Sequence, residues 1–313
     1  MKETVLGMVY DKGRLIVSYT MLITAAVIFG SLFSVNKWAA MSGVPPLAYT
    51  FWQSFVAGAL LWVCLTLAGD RMGVSRQHIV GYVVIGALVM GFPISLLTFI
   101  APKLPASVMT LVLALSPPFT FAISVLVRVE RFRLFGLLGL IVGFLGVLVI
   151  VAPGTTLGGP GNWKWFLLAL VAPLMFACSN VFAALLRPPA ASSAAMSAGV
   201  LFGSSLVLLP IMLIASQAWV PQSFDAGVIA TILAALINAA FLVLFFEVIR
   251  LAGPTFFAQF NYLAVPAGAA WGAVIFHEHL SLYYFLAMLL MFIGMFLTAV
   301  SYTHLTLPTI YSV

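Results

Sequence analysis

Apolar residues in this chain come in long runs, at about 15–39, 46–68, 78–101, 104–127, 134–152, 163–186, 193–215, 226–249, 254–276 and 281–301. Each run is near the ~20 residues that an α-helix needs to cross ~30 Å of hydrocarbon. The pattern predicts an all-α polytopic membrane protein of ten transmembrane helices, with no room for a soluble domain. The shortest breaks lie around Lys103 and Gly253.

Composition agrees with the pattern. The chain is 64% hydrophobic and 6% charged, with a mean hydropathy of +1.21. A soluble domain carries roughly 25% charged residues, so this one lacks the polar surface to face water. Its net charge of +6 comes from basic residues scattered at the ends of apolar runs. That is no basic patch, and nucleic acid is excluded as a partner. Alternate loops, with the N-terminus inside, place ten of the 13 basic residues on the cytoplasmic side and leave Lys37, Lys103 and Lys164 outside. The positive-inside rule then puts both termini in the cytoplasm, and the expected location is the cell (inner) membrane. Cys64 and Cys178 each sit inside an apolar run and read as small buried hydrophobes, with no disulfide.

The chain repeats itself. LPASVMTLVLALSPPF at 104–119 leads to Glu130, and AGPTFFAQFNYLAVPAGA at 252–269 leads to Glu278. Each copy opens on a proline, crosses about a dozen mostly apolar residues to a second proline, and reaches a lone glutamate before the next apolar run. The chain therefore divides into a cytoplasmic N-terminus (1–14), a first repeat (15–152), the connector APGTTLGGPG (153–162), a second repeat (163–301) and a tail (302–313). Five spans per repeat is an odd number, so tandem repeats must be inverted, with a substrate site expected near the midplane between them. The tail matches nothing in the first repeat and resembles translated adapter read-through, so it carries no role.

Candidate chemistry is sparse. Pro117, Pro118 and Pro266 fall mid-span, where proline frees a backbone carbonyl and makes a kink or hinge. Thr110 and Leu113 share a helical face with Pro117, and Gln259 and Tyr262 share one with Pro266; these are the preferred cavity-lining positions. Asn36, Trp52, Gln53, Asn180 and Asn238 add polar positions inside spans, each also able to bond a neighbouring helix. Lys37 either snorkels to the outer interface or meets a substrate carboxylate, and Glu247 is placed to pair with Arg250. Glu130 and Glu278 each precede a helix, whose positive end a carboxylate favours. His277 and His279 diverge from Glu278, so no metal site is expected, nor any cofactor. Gly136, Gly139, Gly143 and Gly146 form a small-residue stripe for internal packing or for a homodimer. The sequence contains no G-x-x-x-x-G-K-[ST], H-E-x-x-H or G-x-S-x-G and no carboxylate cluster, which argues against an enzyme.

With the stretches LALSPPF to Glu130 and YLAVPAG to Glu278, then Gly146 and Gly294, and with FGSLFSVNK and PPLAYTFW, the chain resembles the EamA domain of the drug/metabolite transporter superfamily. The resemblance implies inverted five-helix repeats, with helices one to four and six to nine around a central cavity and five and ten outside. It also implies a secondary transporter, often an exporter of amino acids or related metabolites. The family often has arginine after the aromatic pair of its second helix, whereas this chain has Gln53. The expectation is an exporter of a small amphipathic solute, working in the lipid bilayer by alternating access. The alternatives are a passive channel or facilitator and an intramembrane lipid-modifying enzyme.

Overall fold

The computed structural model describes residues 2–128, 132–151, 157, 159, 161–186, 192–221, 223–252 and 260–303, all without a strand. Its helices are α1 (Lys2–Met41), α2 (Pro46–Leu67), α3 (Arg76–Ile100), α4 (Ala106–Leu126), α5 (Leu134–Val151), α6 (Trp163–Ala169 and Val171–Leu186), α7 (Ser193–Ile214), α8 (Ala226–Ala252), α9 (Phe260–Phe276) and α10 (Leu282–Thr303). Eight of these are long and apolar enough to cross a membrane; the apolar stretches of α9 and α10, Leu263–Phe276 and Leu282–Leu297, are shorter. The expected break between runs eight and nine, with Pro254 and Gln259, lies outside the described residues, as do Glu130 and residues 304–313.

The helices start and stop for local reasons. α1 ends at Gly43, whose φ of +80° suits a residue without Cβ, and Pro46 then opens α2 at a position where its missing N–H costs nothing. The polar residues expected as a separate N-terminal tail instead continue α1 back to Lys2, because polarity does not stop a helix and the stretch holds no proline.

Prolines act differently from the expected mid-helix kink. Pro117 and Pro118 sit in the first turn of the segment Ser116–Leu126, after a 3-10 turn at Leu113–Leu115. The tighter turn absorbs the lost hydrogen bonds, so the prolines begin a segment instead of bending one. In α3 a π-turn at Ala87–Gly91 precedes Pro93 in the same way, and in α6 the helix breaks at Leu170 ahead of Pro173. Only Pro266 of the three expected hinges lies inside a continuous helix.

Packing forms a ring. Following the main contacts, α1 packs on α9, α9 on α4, α4 on α6, α6 on α3, α3 on α7, α7 on α2, α2 on α8, and α8 returns to α1. Exchanging α1–α4 with α6–α9 maps this circuit onto itself. α5 and α10 pack chiefly on each other, beside α4.

Two of these contacts need glycine. A Cβ on Gly203 would overlap the Tyr82 carbonyl, and one on Gly86 the Val200 carbonyl, so α3 and α7 meet backbone to backbone. A Cβ on Gly294 would lie 2.6 Å from the Gly139 carbonyl and 2.8 Å from the Gly143 nitrogen. The glycine stripe of α5 is thus packed in part against α10 of the same chain.

Candidate functional site

α4 begins without a side-chain cap of its own, because its N-cap residue is Pro105. The free N–H groups of its first turn form a positive end that attracts an anion. Glu278 supplies it from the α9–α10 connection: Oε1 accepts from the Ala106 N–H at 2.7 Å, and Oε2 accepts from the Ser107 N–H at 3.0 Å and the Ser107 hydroxyl at 2.7 Å. The Lys37 ammonium, near the end of α1, lies 2.8 Å from Oε1 and 4.7 Å from the centre of the Phe276 ring. Tyr284 Oη of α10 donates to the Ser107 carbonyl at 3.3 Å.

These contacts correct two expectations. Glu278 serves α4 and not the helix that follows it: His277 turns the chain with a φ of +51°, and Ser281 already accepts the Tyr284 N–H of α10 at 3.2 Å. Lys37 is not snorkelled: in this structure the chain's own carboxylate takes it. Burial acts to raise the Glu278 carboxyl, but the Lys37 ammonium, the two Ser107 donors and the Ala106 N–H outweigh it and hold the group below its ordinary value. At the same end the last part of α3 and the first part of α4 both touch α1 across the ring. Among the described residues, α6 makes no comparable approach to α8 at the other end.

A polar stripe runs inward from this end. Tyr49 and Gln53 lie one turn apart on α2, so they share a face. The Tyr49 hydroxyl donates to Asn36 Oδ1 of α1 at 2.8 Å, and Asn238 Nδ2 of α8 donates to Gln53 Oε1 at 2.6 Å. All four side chains are within 1% of full burial. Among the described residues, Asn36 Nδ2, Gln53 Nε2 and Asn238 Oδ1 nevertheless have no partner, and neither do Ser34 Oγ and Thr98 Oγ1. Each such orphan costs about 1–3 kcal/mol. One turn further along α8, Phe241 packs on Phe29 at 4.4 Å and on Phe260 at 5.4 Å between ring centres, closing an aromatic triad of α1, α8 and α9.

The other expected positions do different work. Trp52 Nε1 donates to the Trp219 carbonyl at 2.8 Å and so fastens the α7–α8 connection to α2. Thr110 donates to its own Ala106 carbonyl at 2.9 Å and fills the notch of Gly268 on α9, while Leu113 is buried in the core cluster. Asn180 is exposed and donates to the Thr120 hydroxyl at 3.2 Å. Glu247 accepts from the Ser193 hydroxyl at 3.1 Å. The side chains of Arg250 and Tyr262, like the whole of Gln259, fall outside the described ones. Pro266 is exposed on α9 in line with Leu263, Ala270 and Val274, away from the buried face.

Sequence reasoning missed Tyr49, Ser107, Tyr284 and the aromatic triad. Tyr49 carried a signal, its i, i+4 spacing to Gln53; the other three depend on which helices meet. Among the described residues no three His, Cys, Asp or Glu side chains come together as metal ligands.

Residues 16–152 match the EamA-like transporter family. A solved structure described only as the crystal structure of a protein superposes with a TM-score of 0.61 at 16% identity, covering 91% of this chain and 98% of its own. At that identity the likeness concerns the fold alone. A search of the curated proteins finds no match. The chain is a multi-pass membrane protein whose residues 16–152 are similar to the EamA-like transporter family.

Proposed function

We propose that the protein is a secondary transporter that exports small amphipathic metabolites, amino acids among them, across the inner membrane by alternating access between two inverted five-helix repeats. The observation that carries this reading is the ring of eight helices, which maps onto itself when α1–α4 and α6–α9 are exchanged and which is tied at one end by Lys37, Glu278 and the start of α4. An inverted repeat gives two such ends, related by an axis in the membrane plane, and alternating access opens them in turn. The positive-inside bias makes the Lys37 end external. The tied state then faces the cytoplasm, as an exporter awaiting its solute would.

The lock suits a gate. Its ion pair joins parts far apart in sequence, Lys37 and Glu278, through a helix end, so one carboxylate holds α1, α4 and the α9–α10 connection together. The polar stripe behind it offers orphan donors and acceptors to a solute in an otherwise apolar interior. The test is counterflow in proteoliposomes against a panel of amino acids and amphipathic metabolites. Saturable exchange of one solute class supports the transporter reading. Non-saturating leak of every small solute would indicate a channel instead.

A further inference from the structure

The amides of Gln53 and Asn238 are joined by one hydrogen bond where two amides can make two. Asn238 Nδ2 donates to Gln53 Oε1 at 2.6 Å, while Gln53 Nε2 and Asn238 Oδ1, both at 0% exposure, have no partner among the described residues. A pair kept only to bind α2 to α8 would close the second bond, since each buried orphan is costly. The open pair presents one donor and one acceptor from neighbouring side chains, the complement of an amide edge.

The surroundings narrow the chemistry. A carboxylate would bring its oxygens against Asn238 Oδ1, and Lys37 is held by Glu278 while the end is tied. An ammonium has only donors and would leave Gln53 Nε2 unanswered. Phe241 stands one turn from Asn238 on α8 and meets Phe29 and Phe260, three mutually tilted rings that give the apolar body of a solute an aromatic neighbour.

We infer that Gln53 and Asn238 form a recognition site for an uncharged solute bearing an adjacent N–H donor and C=O acceptor, a primary carboxamide or lactam edge, with its apolar part against Phe29 and Phe241. The inference rests on the transporter reading and names the solute class at its centre. Gln53 Nε2 donates to the solute carbonyl, and Asn238 Oδ1 accepts the solute N–H. Both orphans are then satisfied together, which neither a donor-only nor an acceptor-only analogue can do.

The probes are benzamide, which has the edge, and its near-isosteres benzoate and acetophenone, which do not. Binding to the purified full-length protein is read by calorimetry, and exchange by counterflow in proteoliposomes. Benzamide should bind on the order of tenfold more tightly than either analogue, the loss expected for one unanswered buried group. That preference should fall to parity in Gln53→Met and in Asn238→Leu. If the variants do not fold, the wild-type ranking decides alone. Equal binding of the three probes, or a preference that survives both substitutions, overturns the site and leaves the pair bridged by water. Saturable exchange of some other solute together with equal probe binding overturns the inference while the transporter reading stands. Selective benzamide binding without exchange of any solute supports the site and defeats the transporter reading.

Discussion

Glu278 concentrates more partners than any other carboxylate among the described residues: an ammonium, two backbone N–H groups and a hydroxyl. Its side chain is 9% exposed and that of Lys37 16%, so removing one member strands the other in poor solvent. Glu278→Gln should lower the stability of the detergent-solubilised protein by up to about 3–5 kcal/mol, read as thermal unfolding, and Lys37→Met added to it should restore part of the loss. Additive losses in the double variant would mean that the two groups do not act as a pair. The pH dependence has a definite sign. Because the folded carboxyl is held below its ordinary 4.5, its contribution is complete above that value and is lost as pH falls through the lower folded one. The stability difference between wild type and Glu278→Gln should therefore stay constant from about pH 8 to 5 and shrink only below. A difference that already shrinks near neutral pH would show the lock to be weaker than its geometry implies.

At the scale of elements, the fold depends on places where backbones touch. α3 and α7 meet through Gly86 and Gly203, and each Cβ would fall on a carbonyl of the facing helix. Gly203→Val should abolish the monodisperse peak in size-exclusion chromatography, whereas Gly43→Asn, at an open turn that Asn tolerates, should keep it. Span positions could be read from the apolar runs because a bilayer imposes length and apolarity on every crossing helix. The breaks within spans could not. A run such as that around Pro93 looks uniformly apolar, and whether proline yields a kink, a 3-10 turn or a π-turn depends on the neighbour it packs against. For the same reason Thr110 and Leu113, chosen because they share a face with Pro117, turned out to be packing residues, while Gln53 and Asn238, chosen only as polar exceptions in apolar runs, met across two helices. A polar group buried in a span carries a desolvation cost that needs an answer, whereas nearness to a proline carries none.

Across the whole molecule, the ring is closed where Lys37 lies and has no matching tie, among the described residues, between α6 and α8. Thiols introduced on a background without Cys64 and Cys178 should report this asymmetry. Asn180→Cys, exposed in the structure, should react with a membrane-impermeant maleimide from the cytoplasmic face, and Asn36→Cys, beside the tied end, should be protected from the outer face until a solute is exchanged. Ready labelling of Asn36→Cys from outside in the resting protein would place the open end opposite to where the positive-inside bias puts it. The central claim is that the Lys37 end must open for a solute to cross. It is tested most directly by joining Lys37→Cys on α1 to Ser107→Cys on α4 with a bifunctional maleimide, two positions that meet through Glu278. Counterflow is then compared before and after the bridge forms in the same proteoliposomes. Alternating access predicts exchange in the unbridged protein and none once the bridge is made; exchange at an undiminished rate through the bridged protein would contradict it.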